Sequence, residues 1–152
     1  MQLRELTIDD ETAFIQAVSE FELHEPDWTF AFHYDRARPF VEYVKLTNSW
    51  SRGENNGDFV PNSFLVAVVD GVIVGRVSLR HKLNDFLMWD EGGHIGYGVI
   101  PSQRRKGYAT EMLRLALIRA KELGIDRALL TTDEGNWGSI KAIGKKGGVQ
   151  EL

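Results

Sequence analysis

A chain of 152 residues, 43% apolar and 26% charged, is long enough to bury a core and too apolar to stay disordered. Its formal net charge of −4 argues against a nucleic-acid partner, and the lack of cysteine excludes disulfides, thiolate metal sites and cysteine nucleophiles. No stretch approaches the ~18 apolar residues of a membrane span, and Met1-Gln2-Leu3-Arg4-Glu5 does not open a signal peptide, so a cytoplasmic protein with no membrane partner is expected.

The chain shows no repeat, low-complexity tract or linker, and residues 1–152 read as one domain. Residues 2–7 suit a short strand. Asp9-Asp10-Glu11 open a helix, because carboxylates favour the N-terminal turn, and Phe14, Ala17, Val18 and Phe21 form its apolar stripe. Pro26 ends that helix. The connection 26–36 carries Trp28, Phe30, Phe32 and Tyr34. Pro39 suits the first turn of a second helix with Phe40, Tyr43, Val44 and Trp50. The apolar runs Phe64–Val69 and Val72–Leu79 flank Asp70-Gly71, the signal of a two-residue hairpin. A third strand is expected at His94–Ile100, stopped by Pro101. The helix that follows, at 107–123, has the stripe Ala109, Met112, Leu113, Ala116, Ala120 and Leu123, with Gly124 past its end. A strand at Arg127–Thr132 and a helix at Ser139–Lys146 complete the order β-α-α-β-β-β-α-β-α. This is an α/β layered domain with helices flanking a central mixed sheet.

The most informative segment is Val99-Ile100-Pro101-Ser102-Gln103-Arg104-Arg105-Lys106-Gly107-Tyr108-Ala109-Thr110. A strand runs into a basic turn, then a glycine, a small residue and a helix. A helix N-terminus offers unpaired N–H groups and the positive end of the macrodipole. Gly107 and Ala109 keep side-chain bulk away, and Arg104, Arg105 and Lys106 add positive charge. The plainer alternative is a basic turn capping an ordinary helix. The order Lys-Gly-Tyr does not fit a Walker A loop. Gly96-x-Gly98 lies inside a strand and lacks the third glycine of a dinucleotide fingerprint.

Arg104-x-x-Gly107-x-Ala109 resembles the Gln/Arg-x-x-Gly-x-Gly/Ala signature of the GCN5-related N-acetyltransferase (GNAT) superfamily. Together with Gly93-His94-Ile95-Gly96-Tyr97, the segment through Leu113 is similar to a group of small, mostly bacterial acetyltransferases. The resemblance implies the GNAT fold, acetyl-CoA as co-substrate, no metal, and acetyl transfer to an amine of a small molecule or peptide. It places the pyrophosphate on residues 104–110. The pantetheine arm lies along the strand before them, where that strand splays from 127–132. Val99 or Ile100 supplies a backbone N–H to the thioester carbonyl. Asn136 and Ser139 match the Asn-x-x-Ala/Ser that opens the last helix, where Asn136 faces the arm or caps the helix. Gly96 and Gly98 either leave room for close backbone approach or mark a bulge. Lys141, Lys145 and Lys146 reach the 3′-phosphate or form a solvated face.

Catalytic candidates are Glu91 and His94 as base and Tyr108 as acid. His94 also reads as a structural histidine, and Glu91 as a loop carboxylate. The family's acidic tyrosine, seven residues after the asparagine, is replaced by Ile143. Glu22, Glu25 and Asp27 suit a cationic acceptor, with the aromatics of 26–36 as its wall or simply as core. Two C-terminal strands of the family pattern have no counterpart before Leu152. That leads to the expectation of an incomplete domain, or of a homodimer pairing the edge at 127–132. The alternatives to an acetyltransferase are a non-catalytic acyl-CoA-binding sensor and a purely structural α/β domain.

Overall fold

Four strands pair in chain order into one antiparallel sheet, with two helices on one face and a third on the other. The computed structural model describes residues 1–84, 93–130 and Gly144. The elements are β1 (Gln2–Arg4), α1 (Glu11–His24), α2 (Phe40–Trp50), β2 (Asn62–Val69), β3 (Val72–Arg80), β4 (Ile95–Val99) and α3 (Tyr108–Glu122).

β1 is shorter than predicted because the chain turns at Ile8–Asp10 to start α1. Asp10 fixes that corner. Its carboxylate accepts two bonds from the Arg4 guanidinium, at 2.7 and 2.8 Å, and one from the Thr7 N–H at 2.8 Å. The bidentate arginine holds the Asp10 carboxyl below the usual carboxylate range. The predicted stripe of α1 is the buried one, Phe14, Ala17, Val18 and Phe21. Pro39 sits one position earlier than expected, as the residue that caps α2. Asp70 (φ 49°) and Gly71 (φ 77°) both take positive φ, as the two-residue turn between β2 and β3 requires.

β2 alternates strictly. Phe64 and Val66 join the cluster under α1 and α2, while Leu65 and Ala67 join the cluster under α3. β3 does not. Val68 pairs with Ile73 and Ala67 pairs with Gly75, so Val74 is an extra residue. This bulge changes the phase of the strand. Val77 and Leu79 face α3, and Arg76, Ser78 and Arg80 fall on the α1/α2 side.

On the α1/α2 side Phe14 meets the rings of Phe30, Tyr34, Phe40, Tyr43 and Phe64 at centroid distances of 5.4 to 6.4 Å. Burying a phenylalanine of this kind contributes about 1.5–3 kcal/mol. On the other side α3 packs Met112, Leu113, Ala116 and Ala120 on the sheet. Leu123, counted in its stripe from the sequence, is 46% exposed, because it lies beyond the last turn. Gly124 (φ 84°) closes the helix, as predicted.

The strand expected at 127–132 is not present in its described part: residues 127–130 form no strand. Their backbone meets the sheet through a bond from the His94 N–H to Leu129 O, 2.8 Å. All described pairings are antiparallel. The rest of that expected strand, residues 131–132, lies outside the described residues. Of the expected helix at 139–146, only Gly144 is described, and it is helical.

Candidate functional site

The basic loop leaves β4 through Ile100 and a single 3-10 turn at Pro101–Gln103. Arg104 is extended, Arg105 takes φ 63°, and Gly107 takes φ 81° as the residue before α3. These left-handed positions reverse the chain so that α3 points its first N–H groups outward. A Cβ on Gly107 would meet nothing within 4 Å, so the space in front of the helix is open. Arg105, Lys106 and Gly107 are exposed, and Tyr108, Ala109 and Thr110 are half-buried in the first turn. The Lys106 ammonium donates to Gln103 Oε1 at 3.1 Å. Such an arrangement can receive an anion from backbone donors, with two cations beside it.

Arg104 does something different. Its Nη1 lies 2.6 Å from Glu25 Oε1, its Nε donates to Val99 O at 3.2 Å, and its guanidinium sits 5.9 Å from the Phe21 ring. It turns back towards α1 and β4 rather than to the front of α3. Two residues earlier, the Ser102 N–H and O–H donate to the two Glu20 carboxylate oxygens at 2.7 and 3.0 Å. The loop is thus fastened to α1 at two points.

The ladder between β3 and β4 decides which N–H groups of β4 are in use. Ile100 N–H donates to Val74 O, and Arg80 N–H to His94 O. Even-numbered residues of β4 therefore turn their backbone groups to β3, and Tyr97 and Val99 turn theirs to the opposite edge. Of the two donors expected for a thioester carbonyl, the Ile100 N–H is spent in the sheet, and the Val99 N–H faces outward. Tyr97, Val99 and Tyr108 each pack against the α3-side cluster.

His94 was a candidate base. Its Nδ1 accepts the Leu129 N–H at 3.0 Å, and its own N–H donates to Leu129 O at 2.8 Å. Burial lowers its pKa below the usual histidine value. With Nδ1 occupied as acceptor, the neutral ring carries its proton on Nε2, so the ring has no nitrogen free to take another. In this geometry His94 fastens Leu129 through its ring and its backbone. Glu91, Asn136, Ser139, Lys141, Lys145 and Lys146 lie outside the described residues.

Gly96 and Gly98 correct the sequence reading. A Cβ on Gly98 would collide with the Trp28 ring, and one on Gly96 would lie 2.9 Å from Arg80 Nη1. The space these glycines leave is filled by the protein's own side chains.

The connection 26–36 covers this face. Phe30 is buried, Trp28, Phe32 and Tyr34 pack on the α1/α2 cluster, and Glu22 pairs with Arg36 at 2.9 Å. Between α1 and the connection lies a cleft of about 160 Å³, bordered by Phe21, Glu22, Trp28, Thr29 and Tyr34. Of the carboxylates named from the sequence Glu22 borders this cleft, Glu25 instead pairs with Arg104, and most of the aromatic surface is core. Sequence reasoning missed Arg76. Only 2% exposed, it donates to Phe30 O at 2.9 Å, to Thr29 O, and to Gly96 O at 3.4 Å. Its guanidinium lies 4.1 Å from the Trp28 ring centroid and 4.7 Å from that of Phe32. Burial and then Arg80 push it down to about 9, so it remains charged at neutral pH. The period-two run Arg76-Val77-Ser78-Leu79-Arg80 was the available signal. No group of His, Cys, Asp or Glu among the described residues could hold a metal ion.

The family model of the acetyltransferase (GNAT) domain matches residues 1–149. Among solved structures, the chain resembles RimJ of Mycobacterium smegmatis in complex with CoA-disulfide, with a TM-score of 0.64 and 19% identity over 93% of this chain and 66% of that one. It also resembles a putative ribosomal-protein-serine acetyltransferase of Vibrio cholerae (TM-score 0.63, 21% identity, 96% and 78% of the two chains). A third neighbour is the putative acetyltransferase yncA of Salmonella typhimurium with acetyl-CoA (TM-score 0.55, 18% identity, 96% and 78%). Comparison with curated protein sequences gives no match. The chain belongs to the GNAT acetyltransferase family, whose co-substrate is acetyl-CoA.

Proposed function

We propose that the chain transfers an acetyl group from acetyl-CoA to a primary amine by direct attack. The observation that carries this reading is the open start of α3, with Gly107 at φ 81° and no atom near its Cβ position. The pyrophosphate is received by the N–H groups of residues 107–110, and Arg105 and Lys106 offset its charge. Arg104 supports the loop from behind through Glu25 and Val99. The pantetheine arm runs along the outward edge of β4, where Asn136 and Ser139 are expected to meet it. The Val99 N–H stabilises the oxyanion that develops on the thioester carbonyl.

The amine enters neutral, its ammonium proton passing to Glu91 or an ordered water. Its nitrogen attacks the thioester carbon, the C–N bond forms and the C–S bond breaks. The CoA thiolate leaves and takes up one proton, the same number that the nitrogen releases on becoming an amide. Tyr108, half-buried in the first turn of α3, is the side chain proposed to hand that proton over. Glu22 and Trp28 in the cleft beside α1 receive the acceptor. Neighbours named as ribosomal-protein serine and alanine acetyltransferases make peptide N-termini the first amines to try. We place the reaction in the cytoplasm.

At a hundred times its Kd, acetyl-CoA should stabilise the folded chain by about 2.7 kcal/mol, which is several degrees in Tm. The double variant Arg105→Ala, Lys106→Ala should lose most of that rise. An unchanged rise would overturn the pyrophosphate assignment. Release of free CoA thiol with Ser- and Ala-starting peptides, polyamines and amino acid esters separates an enzyme from a domain that only binds acyl-CoA.

A further inference from the structure

We infer that Arg76 is the positioning residue for the acceptor side of the site: its buried guanidinium holds the connection 28–32 against β4 as the wall along which the amine approaches. The inference rests on the acetyltransferase reading above and adds a residue to it. Four observations lead there. Arg76 stands directly opposite Gly98 in the β3–β4 ladder, one residue from the outward-facing Val99 N–H. Its donors end on the carbonyls of Thr29, Phe30 and Gly96, so one planar group ties the connection to the strand that flanks the thioester. Its guanidinium packs against the rings of both Trp28 and Phe32. Trp28 in turn lies over the bare Cα of Gly98 and forms part of the cleft wall with Glu22.

The chemistry explains why an arginine is needed. The connection offers carbonyl oxygens and ring faces to a dry site, which call for a flat cation with several donors in fixed directions. A lysine keeps the charge but has one compact ammonium, and it cannot serve the two carbonyls and both rings together. The titratable groups that face Arg76 are Arg80 on the same strand and, from α2, the Tyr43 hydroxyl, which itself donates to Phe32 O at 2.8 Å. Burial raises Tyr43 well above the usual phenol range in spite of Arg76, so it stays a neutral donor. From the connection, Arg76 receives carbonyls and rings. It therefore serves as a fastener for backbone and aromatic surface, and it does not touch the reacting atoms.

The test uses the full chain with Arg76→Lys and Arg76→Met. Trypsin should cut after Arg36 about tenfold faster in either variant, since the connection opens more often. The acetyl-CoA-induced rise in Tm should persist. With whichever panel amine the wild type acetylates fastest, KM for the amine should rise about tenfold or more while kcat changes less than about threefold. If both arginine variants fail to fold, Phe32→Leu, which removes a ring packed on the Arg76 guanidinium and does not border the cleft, should show the same rise in KM. An unaltered amine KM in a folded variant overturns the inference. So does loss of the acetyl-CoA shift, which would put Arg76 on the cofactor side. A wild type that acetylates no amine overturns the functional reading instead, and the inference with it.

Discussion

His94 shows how one side chain can be claimed by structure. Its ring and its backbone both bind Leu129, fastening residues 127–130 to the start of β4. A proton on Nδ1 would replace an acceptor with a donor facing a donor. Burial lowers the His94 pKa, so in the window below the unfolded value of about 6.5 the unfolded chain binds more protons than the folded one. Stability contributed by the neutral ring is therefore complete above that value and is lost as pH falls through the lower, folded pKa. His81, whose Nε2 lies 2.8 Å from Ser63 Oγ, is lowered by burial too and adds in the same direction. The urea midpoint of the wild type should fall between pH 7 and pH 5. His94→Gln should start lower at pH 7 and fall less. Equal slopes for the two proteins would show that the ring does not titrate against folding. The sequence offered the structural reading of His94 beside the base, but not its partner Leu129, which only the fold brings to the ring.

At the scale of elements, two glycines that look alike in the sequence have different physical reasons. Gly107 needs its left-handed φ of 81° and has open space in front of it. Gly98 has an ordinary φ and no space, because Trp28 lies on it. Gly107→Ala should therefore cost about 1–2 kcal/mol of backbone strain and leave the tryptophan environment unchanged. Gly98→Ala should cost about 1–3 kcal/mol by overpacking and shift Trp28 fluorescence, since the ring must leave Arg76. Urea midpoints and emission spectra of the two variants separate these effects, and an undisturbed spectrum in Gly98→Ala would contradict the packing. The elements themselves were readable where periodicity and punctuation agreed: α1 by its stripe, the hairpin by Asp70-Gly71, and α3 by Gly107 and Gly124. Arg104 was read as one of three equivalent cations on the loop. Its pairing with Glu25, 79 positions earlier, follows from the α1–loop contact that only the folded chain brings about.

The whole molecule has two apolar clusters on opposite faces of one sheet, and β3 serves both. Val72–Leu79 reads in sequence as a continuous apolar run, which hides the change of phase at Val74. Before the bulge Ile73 faces α1 and α2. After it that face receives Arg76, Ser78 and Arg80, and Val77 and Leu79 go to α3. The bulge thus lets a mostly apolar strand supply a core on one side and the fastening arginine on the other. Because Val74 is the extra residue, its removal leaves Ile73 opposite Val68, Gly75 opposite Ala67 and Arg76 opposite Val66, so every later side chain keeps its face. What the deletion removes is the buried Val74 side chain itself, worth about 1.5–3 kcal/mol, together with the local bend of the bulge. That is less than the roughly 5–15 kcal/mol that hold a domain folded. Deletion of Val74 should therefore lower the melting temperature and retain a cooperative transition. Circular dichroism on heating decides the matter. Loss of the cooperative transition would mean that the pairing of Gly75–Arg80 with β2 depends on the bulge, and the change of phase would then be more than one residue let out of the ladder.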